Sequence, residues 1–361
     1  MKEGDIVRTR LQNQQLLGSA LRTPAEVVSW LGAVQAQEFG PARWALGLRA
    51  AGLTEVSIDR AFDDGLIVRT HILRPTWHFV APEDLRWMQR LTGPRVQRLS
   101  ATYHRKVGLE ARDFARSRRV IEKQLGEHRF LTRVALAAAL KKAKVACDGL
   151  RLAFLMMQAE IDLVICSGPR QGKHFTYALV EKRVPAGESL TGDEGLAELA
   201  RRYFRSHGPA TVHDFVWWSG LTVGQARTGL AALGRNAASQ AVNGVTYWSI
   251  PQKGSNMVTA TPPIVHLLPI YDEYLNALRD RSLAKDPGGP DVTTAAFVGL
   301  PNQLVIDGIL RGAWKKTHTP ERTTINVRPF RSLSRSETSA LERAVAAHAK
   351  FLRTPTTLEI V

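Results

Sequence analysis

Gln35 and Gln37 are the two residues whose type and spacing first suggest chemistry. They lie in Ala33-Val34-Gln35-Ala36-Gln37-Glu38-Phe39, between Gly32 and Gly40-Pro41. On a helix, residues two apart face different directions, whereas in an extended chain they share a side. A helix ending at Gly32 and a turn at Gly40-Pro41 favour the extended reading. Each amide carries two donors and a carbonyl acceptor. Two such groups on one side can hold a water molecule and aim its lone pair. Helix capping or plain surface polarity is the other reading of the same residues. Asp63-Asp64 and Asp272-Glu273 are adjacent carboxylates. Neighbouring side chains diverge, so neither pair alone makes an acid/base site. His71 and His78 fall on neighbouring predicted strands, where a lone histidine is more often structural than a base. The chain has no H-E-x-x-H, Walker A, G-x-S-x-G or G-x-G-x-x-G motif. Its two cysteines, Cys147 and Cys166, form no C-x-x-C pair, so no zinc site and no cofactor are expected.

The elements that must position these residues read as an α+β chain, mainly α. Three tandem winged helix-turn-helix units are followed by a strand-rich C-terminal region. The first unit, residues 1–115, contains a helix around Ile6, Leu11 and Leu16. A second helix starts at Thr23-Pro24-Ala25-Glu26, where Thr23 suits the N-cap, Pro24 the first helical position and Glu26 the capping box. Strand-like runs at Leu66 to Leu73 and Thr76 to Val80 complete it. The second unit, 116–185, has helices at Ser117 to Leu125 and Leu131 to Ala143, and one capped by Asp148 that runs to about Ile161. Its strands, Leu163 to Ser167 and Thr176 to Val180, flank a basic wing with Arg170 and Lys173. The third, 186–260, has helices at Gly195 to Ser206, from Thr211 and from Thr222, then an Asn243-Gly244 hairpin turn. In the region 261–361, Gln303 to Gly308 and Gly312 to Trp314 form a predicted hairpin, and Thr323 to Val327 another strand. A helix covers about Glu337 to Leu352, and Lys285 to Pro290 reads as a linker or loop.

The formal net charge is +16 over 361 residues, with 44% apolar and 23% charged residues. These values suit a folded chain of several units with a polyanionic partner. No run approaches 18 apolar residues, and the first ten residues lack an apolar core. Neither a membrane span nor a signal peptide is therefore expected, and the protein reads as cytoplasmic. Basic residues cluster: eleven Lys/Arg face four acids from Arg95 to Arg133, and seven face one from Arg311 to Arg335. Arg112, Arg116 and Arg119 can share a helix face that meets duplex phosphates, or that is simply solvated. Around Arg311, Lys315 and Lys316 a basic hairpin fits a groove. Trp314 there either wedges against a base or packs below the hairpin.

Gln35-Ala36-Gln37 is similar to the Gln-apolar-Gln motif of AlkZ-type DNA glycosylases, a family with three tandem winged helices. His71-Ile72-Leu73-Arg74-Pro75-Thr76-Trp77-His78-Phe79-Val80, Asp214-Phe215-Val216-Trp217-Trp218-Ser219-Gly220-Leu221 and Leu267-Leu268-Pro269-Ile270-Tyr271-Asp272-Glu273-Tyr274-Leu275 resemble the same family, in order along most of the chain. A related branch carries Asp at the second motif position, and Gln37 places this chain beside the Gln-Gln branch. Asn276-Ala277-Leu278 departs from the Gly-Tyr pair common in relatives.

The resemblance implies monofunctional hydrolysis of the N-glycosidic bond of an alkylated purine in double-stranded DNA, with N7-alkylguanine the leading substrate. It also implies that bulky adducts and some interstrand crosslinks are accepted. Gln35 and Gln37 would orient the water. Arg74 and His78 would face the active loop, and Asp272 would be structural or would stabilise a cationic sugar. Housekeeping repair and self-resistance to a genotoxic metabolite both remain open. A winged-helix regulator is the alternative; it would dimerise and read one sequence, yet no dimerisation helix is evident and a monomer is expected. An architectural or RNA-binding protein, binding without an abasic product, is the third reading.

Overall fold

The structure, a computed structural model, describes residues 2–187, 190–251, 263–286, 288–289, 302–319 and 322–361. After α1 (Glu3–Asn13), a first group runs α2 (Pro24–Leu31), β1 (Val34–Gln35), α3 (Phe39–Gly47), α4 (Glu55–Asp64), β2 (Val68–His71), β3 (Trp77–Val80). Local chemistry sets its boundaries. Thr23 Oγ1 accepts from Glu26 N at 3.2 Å while Glu26 Oε2 accepts from Thr23 N at 3.0 Å, and Pro24 fills the first turn. Gly32, at φ 82°, ends α2. The strands form an antiparallel sheet in the order β1-β3-β2.

Helix α5 (Pro82–Lys106) leads to a second group with the same element order: α6 (Ala111–Glu127), β4 (Leu131–Thr132), α7 (Arg133–Lys142), α8 (Leu150–Ile161), β5 (Ile165–Ser167), β6 (Thr176–Leu179). Its sheet order is β4-β6-β5. The short α9 (Val180–Arg183) precedes a third group, α10 (Gly192–Ser206), α11 (Val212–Ser219), α12 (Val223–Ala232), β7 (Ala238–Val242) and β8 (Val245–Ser249). Here the first strand shrinks to a single bridge from Ala210 to Trp248. The C-terminal region holds β9 (Val265–Leu268), α13 (Glu273–Asn276), β10 (Gln303–Ile306), β11 (Ile309–His318), β12 (Thr323–Pro329), a C-terminal helix (Arg335–Leu352) and β13 (Thr356–Ile360). Its sheet order is β13-β12-β11-β10-β9, with only the β12–β13 pair parallel.

Two large apolar cores join these parts. One packs Val68, Ile72, Leu73 and Trp87 against Tyr203, Phe204, Phe215 and Trp218 of the third group. The other closes the opposite side of the first group, where Trp44, Leu46, Phe62 and Phe79 meet Leu267, Leu304, Trp314, Ile325 and Phe351. Trp44 Nε1 and Trp314 Nε1 donate to the successive carbonyls of Leu267 and Leu268, at 2.7 and 2.8 Å. The Arg49 guanidinium grips the Asp272 carboxylate with two hydrogen bonds of 2.7 and 2.8 Å, and both side chains are fully buried.

Several elements differ from the sequence reading. The 25-residue α5 has no counterpart among the elements expected for the first unit and runs through Gly93-Pro94. Pro94 removes one helical donor, but the face carrying Leu85, Met88 and Val96 is buried, and that packing outweighs the loss. The boundary drawn at 115 falls inside α6. Asp148 does not cap α8; Gly149 occupies that position at φ 54°, and Asp148 pairs with Lys141 Nζ at 2.8 Å. Of the segment read as a linker, residues 287 and 290 lie outside the described residues. Among the described residues no helix is long and apolar enough to cross a membrane.

Candidate active site

The chain is extended at Val34 and Gln35 because Gly32 turns it out of α2 and β3 offers it an edge, and it bends at Gln37. Gln35 sits opposite His78 in the β1–β3 register, and Ala36 N donates to Trp77 O at 2.7 Å. The ladder then continues through a side chain: Gln37 Oε1 accepts from Trp77 N at 3.3 Å.

Gln35 is buried and surrounded by polar groups. Its backbone N–H donates to Glu273 Oε1 at 2.8 Å. Its side-chain oxygen accepts from Arg74 Nη2 at 3.1 Å and from Asn276 Nδ2. A guanidinium only donates, so the Arg74 contact fixes which end of the Gln35 amide is oxygen. The Glu273 carboxylate is fully buried; its Oε2 accepts from Trp218 Nε1 at 3.1 Å and lies 3.4 Å from His207 Nε2. Burial pushes the Glu273 carboxyl up, but His207 and the Gln35 N–H together hold it below the ordinary carboxylate range. It is therefore a buried anion.

His78 is fully buried, and burial, reinforced by the Arg74 charge, pushes its pKa down to about 3. Its Nδ1 donates to Thr76 O at 2.9 Å, which leaves Nε2 as an acceptor with no hydrogen-bond partner among the described residues. The ring is neutral at physiological pH. The Arg74 guanidinium lies 5.9 Å from the Trp217 ring centre, and Trp217 Nε1 donates to Asn276 O at 3.0 Å. Leu73, which leads into Arg74, has φ 64°, and Gly220 packs against its carbonyl so closely that a Cβ at that position would collide with it. This Gly–backbone contact fixes where Arg74 begins.

Thus the fold brings Gln35, Arg74 and His78 together, while the Gln37 side chain meets the backbone of Trp77, next to His78. Asp272 is not among them. Its carboxylate turns away to Arg49 and caps α13 at Tyr274 N, 2.9 Å away. The adjacent Glu273 takes the place beside Gln35, so the two neighbouring carboxylates do diverge. Sequence reasoning passed over Glu273 because nothing local distinguishes it from Asp272. Trp218 lies in a stretch that resembles the family and Asn276 at a departure from it, but neither is assigned a place in the site by sequence, and His207 carries no signal. The basic residues separate into two kinds. Arg116, Arg119, Lys173, Lys315 and Lys316 are exposed, as is Arg112, which pairs with Glu110 at 3.2 Å. Arg170 is committed to Asp59 and Asp63 of the first group, and Arg311 to Asp286. Trp314 is buried beneath the sheet against His348, which corrects the expectation of a wedge in favour of packing below the hairpin.

Residues 28–351 match the family described as DNA glycosylase AlkZ-like. An interstrand DNA cross-link repair glycosylase of Streptomyces sahachiroi is 24% identical over 355 residues, covering 94% of each chain. The solved structure of the Streptomyces sahachiroi DNA glycosylase AlkZ shares the fold, with a TM-score of 0.80 across 100% of both chains at 22% identity. With a match of that span, this chain belongs to the AlkZ-like DNA glycosylase family.

Proposed function

We propose that this glycosylase hydrolyses the N-glycosidic bond of alkylated purines in duplex DNA, N7-alkylguanine foremost, and that Gln35 and Gln37 hold the attacking water. One observation carries the reading: the backbone of Gln35 rests on the buried Glu273 carboxylate, with Arg74 and Asn276 fixing its amide. The Gln35 oxygen already accepts two donors, so its Nε2 is the group that meets the water. Gln37 Oε1 accepts one hydrogen bond and has a second lone pair for a water proton. One water lone pair then remains for the sugar C1′.

An N7-alkylated guanine is a cation that leaves as a neutral base, so no protonation of the leaving group is required. His78, neutral and with its one N–H committed to Thr76, fits a site without a general acid. The glycosidic bond breaks with its electrons passing to N9, the water oxygen bonds C1′, and the excess proton passes to solvent. Glu273 supplies negative potential for the oxocarbenium-like sugar. Uncharged bases are poor substrates on this mechanism.

The three groups of like element order act as tandem winged helices that carry the duplex, and the protein works as a monomer. The cross-link repair named for the Streptomyces sahachiroi relative extends to this chain in the same proposal. A crosslinked base is tethered to the opposite strand and cannot turn fully into a closed pocket, so the site must be open towards DNA.

The test is a single-turnover reaction on duplex DNA with one N7-methylguanine, followed by alkaline cleavage, against a spontaneous-depurination control. The wild type and the Gln35→Ala, Gln37→Ala double variant are compared at matched DNA affinity. Product from the wild type alone supports the reading. Equal product from both removes the glutamines from the mechanism, and no product on this or bulkier adducts removes the substrate assignment.

A further inference from the structure

Arg69, on β2, is not used in the chemistry above, yet its guanidinium touches the motif directly. Nε donates to Ala36 O at 2.8 Å and Nη2 to Gln37 O at 3.1 Å. In an extended strand successive carbonyls point to opposite edges. Two consecutive carbonyls that share one planar cation must turn to the same side, so the chain bends at Gln37. The bend is what returns the Gln37 side chain to Trp77 N.

The cation is itself held by the second group of elements. Its centre lies 4.4 Å from the Trp77 ring centroid and 5.1 Å from that of Phe175. Ser167 Oγ accepts from Arg69 N at 2.8 Å. Glu160, on α8, accepts from Trp77 Nε1 at 3.4 Å and pairs with His71 Nδ1. Phe175, Ser167 and Glu160 all belong to the second group, so that group reaches the motif through Arg69 and Trp77.

We propose that Arg69 is the positioning residue that sets Gln37 for water attack, clamped there by Phe175 and Glu160 from the second group. The proposal rests on the reading that Gln37 handles the water. A lysine keeps the charge but offers no planar fork to bridge two carbonyls. Misplacing a water-holding group by a fraction of a bond length to about 1 Å costs up to about 100-fold in rate.

Arg69→Lys is tested in the wild-type and Gln37→Ala backgrounds, with single-turnover excision, DNA affinity and melting temperature measured for each. In the wild-type background, excision is expected to slow about 10–100-fold with unchanged DNA affinity. In the Gln37→Ala background the same substitution should add no further loss, because the group it positions is gone. Equal fold losses in both backgrounds, or a loss that tracks melting temperature, overturns the proposal. Wild-type excision by Gln37→Ala alone instead overturns the reading on which it rests. If excision by Gln37→Ala falls to the depurination rate, side-chain amide resonances of glutamine-labelled protein decide. Arg69→Lys should move the Gln37 peaks and leave those of Gln35 in place; unmoved Gln37 peaks overturn the proposal.

Discussion

The backbone N–H of Gln35 donates to Oε1 of Glu273 across 2.8 Å, joining residues 238 positions apart. The strand that carries the glutamine motif thus lies directly on a buried anion from the C-terminal region. Glu273→Gln preserves the shape but removes the charge, and its single carbonyl oxygen can accept from only one of the Gln35 and Trp218 N–H groups. Preorganised electrostatic groups of this kind are worth roughly 100-fold or more in rate, so excision should fall by about that factor while DNA affinity holds. Wild-type single-turnover rates in this variant would take Glu273 out of transition-state stabilisation.

Acid should destabilise the fold through its buried histidines. In the folded state burial pushes His78 and His348 down to about 3, whereas a free imidazole titrates near 6.5. Below about pH 6.5 the unfolded chain takes up protons that the folded chain refuses. Stability is then full above that pH and falls as pH drops towards 3, by up to about 1.4 kcal/mol per pH unit per histidine. His348 packs between Trp44, Trp314 and Phe351. His348→Leu should therefore flatten the acid limb of a stability-versus-pH series from urea titrations. An unchanged slope would assign the acid sensitivity to other groups.

Asp272 and Glu273 should separate stability from chemistry. Asp272→Ala leaves the Arg49 guanidinium buried without its carboxylate, a loss on the order of 3–5 kcal/mol. Urea unfolding should show that loss. Excision per folded molecule, measured well below the transition, should stay within a few-fold of wild type. A variant that is stable yet inactive would instead give Asp272 a chemical role.

Surface cations should act on binding alone. Arg116, Arg119 and Lys315 are exposed. Each one that contacts phosphate should, on substitution by Ala, reduce the slope of log affinity against log salt by about one and leave the saturated excision rate unchanged. Arg170→Ala should instead loosen the β5–β6 connection, because Arg170 is already paired with Asp59 and Asp63. An unaltered salt slope for all three exposed residues would move the duplex to another face.

Much of this architecture is local chemistry that a sequence displays. Thr23, Thr211, Thr222 and Ser334 each cap the helix that follows, Gly32 and Gly65 end helices with positive φ, and Asn243-Gly244 turns the β7–β8 hairpin. The spacing of Gln35 and Gln37 allows an extended segment; the strand covers Val34 and Gln35, and the chain bends at Gln37. What is not legible is long-range. Nothing near Glu273 indicates that it, rather than Asp272, meets Gln35, since both follow the same turn. Arg69 looks like any strand arginine until the bend at Ala36 and Gln37 is seen. Trp314 lies among lysines, but its neighbours in space are Leu268 and His348. Helix α5 persists through Gly93-Pro94 because of tertiary burial that no window of sequence contains.

The reach from Gln35 to Glu273 also makes the motif depend on the C-terminal region. A fragment that stops before residue 273 loses the anion beneath the motif together with Leu304, Trp314, Ile325 and Phe351, which cover the first group. Shortening the protein from that side therefore strips the motif of its charge and the first group of its apolar cover in one step.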